Sequence, residues 1–139
     1  MNLFTKHKSW LMVIIFGIGY AVVGIAFPNP SVQGEAQRNW RLAAWIAGAV
    51  IFGIQIWYEH FRLHNRPLIT ALHTAVAAAL GALALAAAAF IHVLNSIGAN
   101  LLLHAASLIL WPVFIGVPAF LAAFVIAAVL AKLKPVNKT

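Results

Sequence analysis

The sequence predicts an all-α integral membrane protein, a four-helix transmembrane bundle with both termini on the cytoplasmic side. Of its 139 residues, 64% are hydrophobic and only 8% are charged, whereas a soluble domain carries about 25% charged residues. Because so few charges cannot cover a soluble surface, lipid must surround most of the chain. Backbone polar groups in lipid must be paired within each segment, and the apolar–polar alternation of barrel strands does not occur, so the spans are predicted to be helices.

Four apolar spans are separated by short polar or proline-containing breaks, and together they form a single membrane domain over residues 1–139. A helix needs about 20 residues to cross the hydrocarbon, and no span is markedly shorter than that. The predicted helices cover about residues 10–27, 40–63, 68–94 and 101–131.

The first span could instead be a signal peptide, because Lys6 and Lys8 precede it and Gly34-Glu35-Ala36 is an acceptable cleavage site. Its apolar run of about 18 residues is longer than the usual signal core of about 7–15 residues. We therefore expect an uncleaved helix.

The fourth span contains Pro112 and Pro118, and each proline removes a backbone hydrogen-bond donor from the helix. A kink is expected near them. At 1.5 Å per residue this span is about 46 Å long, which exceeds a hydrocarbon thickness of about 30 Å. The helix must therefore tilt, bend or protrude.

Charge sets the predicted orientation. If the four spans alternate in direction, seven basic residues fall on one side: Lys6, Lys8, Arg62, Arg66, Lys132, Lys134 and Lys138. The other side has Arg38 and Arg41, partly offset by Glu35. The positive-inside rule then places both termini in the cytoplasm. We expect a multi-pass protein of the inner (plasma) membrane, with the lipid bilayer as its immediate partner.

Small residues dominate the third span, in which residues 71–89 contain eleven alanines and one glycine. In lipid such residues matter because they allow helix backbones to approach closely. Ala77 and Gly81 form one small-xxx-small pair in this span, and Ala44 and Gly48 form another in the second. We expect a bundle with the third helix at its centre. A second copy or another membrane protein is the expected protein partner.

Residues 56–73 hold three of the six histidines and one of the two carboxylates. His60 and His64 have the four-residue spacing of metal ligands on a helix, and His73 could join them from the next helix. Glu59 would then be a fourth ligand or a general base, so a divalent metal is one interpretation. The plainer interpretation is that these side chains are solvated at the membrane boundary.

A polar stripe follows one face of the second helix and its continuation. It comprises Gln55, Glu59, Arg62 and Arg66, which share a face at about 100° per residue. Glu59 and Arg62 are three residues apart and are expected to pair. Gln55 is the deepest strongly polar group, so Gln55 and Glu59 are the candidates to line a pore between several copies.

Haem b is another interpretation of the histidines. His73 and His92 lie on the third helix, and their partners would be His60 or His64 at one face and His104 at the other. The separation of His73 and His92 corresponds to about 28 Å along a helix and a rotation of about 100° around it. Both would therefore lie at headgroup level and would not share a seam of the bundle.

The functional prediction is a non-enzymatic accessory or interaction subunit. The chain has no cysteine and no aspartate, which excludes thiol and Fe–S chemistry and a serine–histidine–aspartate triad; no catalytic residue and no cofactor are predicted. The alternatives are a haem- or metal-binding redox subunit and an oligomeric small-ion or small-molecule transporter. Nucleic acid is not expected as a partner despite the net charge of +7, because the basic residues stand singly between apolar spans.

Overall fold

The computed structural model describes residues 3–27, 34–94 and 100–133, with side chains of the first helix described from His7 onward. The helices are α1 (Leu3–Ala26), α2 (Glu35–Trp57), α3 (Pro67–Leu94) and α4 (Leu101–Leu133), and a π-helical turn (Tyr58–Arg62) continues α2. These ranges contain no β-strand. The predicted break at Pro28 and Pro30, and the cations Lys134 and Lys138, lie outside the described residues.

All four helices are long and apolar enough to cross a membrane, and the predicted all-α class is confirmed. The helices are longer than the apolar runs. For example, α2 begins at Glu35 and includes the polar residues up to Arg41, because a carboxylate suits the positive end of a helix and the following residues form helix readily. α4 continues through Pro112 and Pro118 as one helix.

The centre of the bundle is α3, which packs along both α1 and α4. Small residues make the contact with α1 possible. A Cβ atom added at Gly81 would overlap Tyr20 Cβ, and one added at Gly17 would lie 3.2 Å from Leu80 Cβ. The predicted role of small residues as helix contacts therefore applies to the α1–α3 seam.

The second helix packs much more lightly than the others. Near its carboxyl end, Ile56 joins Ala71 and Ala123 in a buried apolar core. Earlier in α2, a Cβ atom added at Gly48 or at Gly53 would have nothing within 4 Å. The small-residue faces of α2 are therefore unused within the bundle.

The bundle has two ends, which we name after one residue at each. The Glu59 end contains the start of α1, the π-helical turn, the start of α3 and the last turns of α4. The Arg41 end contains the end of α1, the start of α2, the end of α3 and the start of α4. Ring contact between Phe27 and Trp40, with centroids 5.7 Å apart, joins α1 to α2 at the Arg41 end.

Large apolar side chains cover the outside of the helices. Trp45 is 77% exposed, Leu102 81% and Ile109 73%. A surface of this kind is unfavourable in water and suited to a hydrocarbon surrounding.

Candidate functional site

A π-helical turn positions the most deeply buried carboxylate of the chain. Within Tyr58–Arg62 the backbone hydrogen bonds join residues five apart, in place of the four of an α-helix. The turn ends where the Asn65 amide donates to the Glu59 carbonyl oxygen at 3.1 Å, and His64 between them has a φ of 54°. That left-handed residue reverses the chain, and the side chain of Asn65 is thereby placed beside that of Glu59.

Four polar side chains meet at this point, and we call them the polar cluster: Ser9, Glu59, Asn65 and His73. They come from α1, the π-helical turn, the following loop and α3. Glu59 is fully buried, and Ser9 and His73 are each only 6% exposed. The cluster therefore connects three helices through side chains of which Ser9, Glu59 and His73 are buried and Asn65 is partly buried.

The centre of the polar cluster is an ion-pair contact between Glu59 and His73. His73 Nδ1 lies 3.0 Å from Glu59 Oε2 and 3.2 Å from Oε1, and it lies 3.0 Å from Ser9 Oγ. Asn65 Nδ2 donates to Glu59 Oε2 and, at 3.3 Å, to Ser9 Oγ. If the Glu59 carboxyl is ionised, it only accepts hydrogen bonds, and His73 Nδ1 is then the donor.

An aromatic ring closes the cluster on the α1 side. The rings of Trp10 and His73 have centroids 5.3 Å apart and are inclined by 59°. An indole beside an imidazole shields the Glu59–His73 contact from competing water, and low local polarity strengthens a charge-assisted hydrogen bond.

Further polar groups continue from the cluster into the bundle. Gln55 lies one helical turn before Glu59 and is fully buried, and Tyr20 donates to Gln55 Oε1 at 3.4 Å. Thr74 donates to the carbonyl oxygen of Thr70 at 2.8 Å. The buried atoms Gln55 Nε2 and Thr70 Oγ1 have no hydrogen-bond partner. Each such group costs about 1–3 kcal/mol relative to a paired one.

The predicted polar stripe is divided by the π-helical turn. Gln55 and Glu59 are fully buried inside one bundle, whereas Arg62 and Arg66 are exposed. The expected Glu59–Arg62 pair is therefore replaced by the Glu59–His73 pair. A wider turn shifts every following side chain around the helix, so the 100° spacing used for the prediction does not hold here. Gln55 and Glu59 are both buried within a single chain, and a pore lined by them between several copies stays a prediction.

The histidines proposed as metal ligands do not converge. His73 contacts Glu59, and His64 is exposed. His60 is buried, its ring packs edge-on against Phe61 at 4.8 Å, and neither ring nitrogen has a hydrogen-bond partner. Among the residues that the structure describes, no three His, Cys, Asp or Glu side chains form a group that could hold a metal ion.

The histidines proposed as haem ligands are also far apart. His73 and His92 lie near opposite ends of α3. His104 lies in the first turn of α4, and its Nδ1 donates to the Asn100 carbonyl oxygen at 3.0 Å. His92 is exposed on α3, and a separate haem at each end of the bundle, held by His73 with His60 or His64 and by His92 with His104, stays a prediction.

A cavity of about 800 Å³ occupies the half of the bundle toward the Arg41 end. It lies between α2 and α4, with α3 as its floor, and α1 also contributes. Its lining is mostly apolar and includes Trp45, Gly48 and Ala82, while His104 and Ser107 are polar exceptions on α4. Because Trp45 is largely exposed, the cavity opens sideways toward the surroundings of the bundle.

Tyr20 links the cavity to the polar cluster. Its side chain lines the cavity, and its hydroxyl contacts Gln55, which lies one turn from Glu59. Sequence reasoning did not identify Ser9, Tyr20 or Asn65 as site residues. Of the three, Tyr20 was visible as an isolated polar residue inside an apolar run, which in a membrane helix favours a hydrogen bond to another helix. Ser9 and Asn65 stand in polar stretches of the sequence, where they carry no such signal.

Comparison with protein-family models, with curated proteins and with solved structures finds no significant match to this chain.

Proposed function

We propose that this chain is a non-enzymatic interaction protein of the inner (plasma) membrane that holds an apolar guest in the cavity between α2 and α4. Both termini lie in the cytoplasm in this proposal, so the Glu59 end faces the cytoplasm. The cavity is the observation that carries the proposal: it has about 800 Å³, within the range of about 300–1,000 Å³ that is typical of ligand sites.

The packing of α2 supports a guest in this position. α2 is held at the Glu59 end by the polar cluster and by Ile56 in the apolar core. Toward the Arg41 end, Gly48 presents its face to the cavity with nothing within 4 Å of an added Cβ. An apolar cavity that opens sideways into lipid forfeits dispersion contacts when empty, so a lipid chain or another apolar segment should fill it.

The burial and hydrogen bonding of the polar cluster favour an interaction role over a catalytic one. Glu59 and His73 contact each other, and both are bonded to Ser9 or Asn65. A general acid or base must reach the proton that it transfers, and these groups are buried and engaged. The cluster fits a structural role, in which it fixes the angle between α1, α2 and α3.

The test compares the same substitution at two glycines of α2 that both have open space around them. Gly48→Phe places a ring in the cavity, whereas Gly53→Phe adds the same ring on α2 at a position outside the cavity lining; both glycines have open space. The protein is reconstituted in vesicles that contain phosphatidylcholine with a diazirine on its acyl chain. After illumination, mass spectrometry of peptides locates the label.

We expect enriched labelling of the cavity floor around Ala82 and Ala86, a several-fold loss in Gly48→Phe and no change in Gly53→Phe. Uniform labelling of all outward faces, or the same loss in both variants, would contradict the proposal.

A small-ion transporter is a second candidate, favoured by the burial of Glu59 and His73 within an apolar bundle. Such residues commonly mark proton or ion paths, and Tyr20 and Gln55 lead from the cavity toward Glu59. Vesicles loaded with a pH-sensitive dye test this candidate by comparing wild type with Glu59→Gln and with the control Glu35→Gln, at an exposed position. Proton flux lost only in Glu59→Gln would support it, and equal leakage in all three would remove it.

A further inference from the structure

We infer that the guest in the cavity is an anionic phospholipid, with an acyl chain between α2 and α4 and its headgroup at Arg41. This inference rests on the proposed function and adds the chemical class of the guest. It follows from the size of the cavity, the positions of residues along α2 and the charges around the mouth. By the mouth we mean the opening of the cavity at the Arg41 end of the bundle.

The size of the cavity favours a lipid chain over a helix. A helix of about 20 residues and about 10 Å diameter occupies roughly 2,400 Å³, about three times the cavity volume of about 800 Å³. A partner helix could enter only in part, whereas an acyl chain is much thinner than a helix. Lipid is also the component that a sideways opening in a membrane-spanning bundle meets first.

The register of α2 places a cation at the mouth. Arg41 is three residues before Ala44 and four before Trp45, and both of those residues line the cavity. Residues three and four apart share a helix face, and Arg41 is therefore on the cavity side, about 5 Å nearer the end of α2. Its side chain is exposed and can reach a headgroup at the membrane boundary while its stem lies along apolar surface.

The polar residues of α4 lie at the same mouth. α2 and α4 run in the same direction, so the start of α4, with His104 and Ser107 in the lining, is level with the start of α2. His104 Nδ1 is engaged by the Asn100 carbonyl, which leaves Nε2 as the ring nitrogen for a headgroup. Ser107 donates to the His104 carbonyl oxygen at 2.6 Å, and its oxygen can still accept.

The charges near the mouth favour an anion. No carboxylate is among the residues that line the cavity. Glu59 lies at the opposite end of the bundle, and Glu35 is six residues before Arg41, about 9 Å along the helix. A zwitterionic headgroup would bring an ammonium group close to Arg41, whereas an anionic one brings only attraction. A guanidinium also matches a phosphate with two parallel hydrogen bonds.

The experiment compares two diazirine lipids with the same acyl chains, phosphatidylglycerol and phosphatidylcholine, each present at the same low fraction in phosphatidylcholine vesicles. The quantity measured is the label on the cavity floor at Ala82 and Ala86, divided by the label on the outward face at Leu102. We expect this ratio to be about fivefold higher for phosphatidylglycerol, which is the effect of one favourable contact between a basic residue and anionic lipid.

Arg41→Gln should reduce that preference while total labelling of the cavity continues, and the exposed Arg38, three residues earlier on the same face, is the cation that remains. Arg62→Gln is the control, because Arg62 is an exposed arginine on the same segment at the opposite end; it should keep the preference. Raising the salt to about 1 M should weaken the preference in wild type, since the screening length then falls to about 3 Å.

Each other outcome overturns the inference in a distinguishable way. Equal labelling by the two headgroups overturns the anionic class and leaves the proposed function standing. Absence of enriched cavity labelling with either lipid overturns both. If a diazirine fatty acid displaces the phosphatidylglycerol label, the guest is a free fatty acid. If a photoreactive amino acid placed at Ala82 links two copies of the chain on illumination, the occupant is a second copy.

Discussion

The Glu59 end of the bundle is closed by hydrogen bonds between helices, whereas the Arg41 end is open around a cavity. At the Glu59 end, Ser9, Asn65 and His73 all contact one carboxylate or each other. At the Arg41 end, the cavity of about 800 Å³ separates α2 from α4. In lipid the hydrophobic effect does not press helices together, so cohesion needs either polar contacts or close packing. The first half of α2 has few of either.

The same difference appears between the two faces rich in small residues. On the α1–α3 seam, Gly17 and Gly81 are covered so closely that an added Cβ would meet a neighbouring side chain. On α2, Gly48 and Gly53 have open space. A small-xxx-small pattern thus permits close approach but does not produce it, because a matching partner face is also required.

The largest expected effect comes from breaking the closed end. His73→Ala removes the partner of a fully buried carboxylate, and we expect the free energy of unfolding to fall by about 3 kcal/mol, as for other buried pairs that lose one member. Unfolding in mixed micelles of mild detergent and dodecyl sulfate, followed by circular dichroism, measures this change. His64→Ala is the control, because His64 is exposed, and it should change stability by less than about 0.5 kcal/mol. Equal effects of the two substitutions would mean that the polar cluster does not hold the helices.

A smaller effect is expected from the seam between α1 and α3. Gly81→Ala places a methyl group against Tyr20 Cβ and 3.3 Å from the Ala21 amide nitrogen, so the helices must separate; overpacking of this kind costs about 1–3 kcal/mol. Gly53→Ala adds the same methyl group in open space and should be neutral or stabilise α2 by about 0.5–1 kcal/mol. The same unfolding experiment gives both values. A Gly81→Ala variant as stable as Gly53→Ala would show that this seam is not tightly packed.

Hydropathy and proline positions predicted the four helices because long apolar runs have few alternatives in lipid. The site was predicted only in part. Glu59 and His73 were both named, but as metal ligands with His60 and His64. The π-helical turn changed the register of these residues, and a turn with one additional residue has no distinct signature in the run YEHFR.

The position of the cavity was even harder to predict from the sequence. Every residue in its lining is of a type that also occurs on lipid-facing or packed helix surfaces. Whether Gly48 is covered depends on the angle of α2, and this angle is fixed near the other end of the helix by long-range contacts such as Tyr20 with Gln55. Local sequence patterns carry no information about contacts between residues so distant in the chain.

The smallest effect distinguishes paired from unpaired polar groups near the closed end. Thr70 Oγ1 is buried without a partner, whereas Thr74 Oγ1 donates to the Thr70 carbonyl at 2.8 Å. Thr70→Val replaces an unsatisfied hydroxyl by a methyl group of similar shape and should stabilise the protein by about 1 kcal/mol, while Thr74→Val should destabilise it by about 0.5–1.5 kcal/mol. Unfolding of the two variants side by side measures the difference, and its sign is the result that matters. If Thr70→Val is instead the more damaging substitution, the Thr70 hydroxyl has a polar partner, such as a bound water, and the polar contacts near the Glu59 end include Thr70.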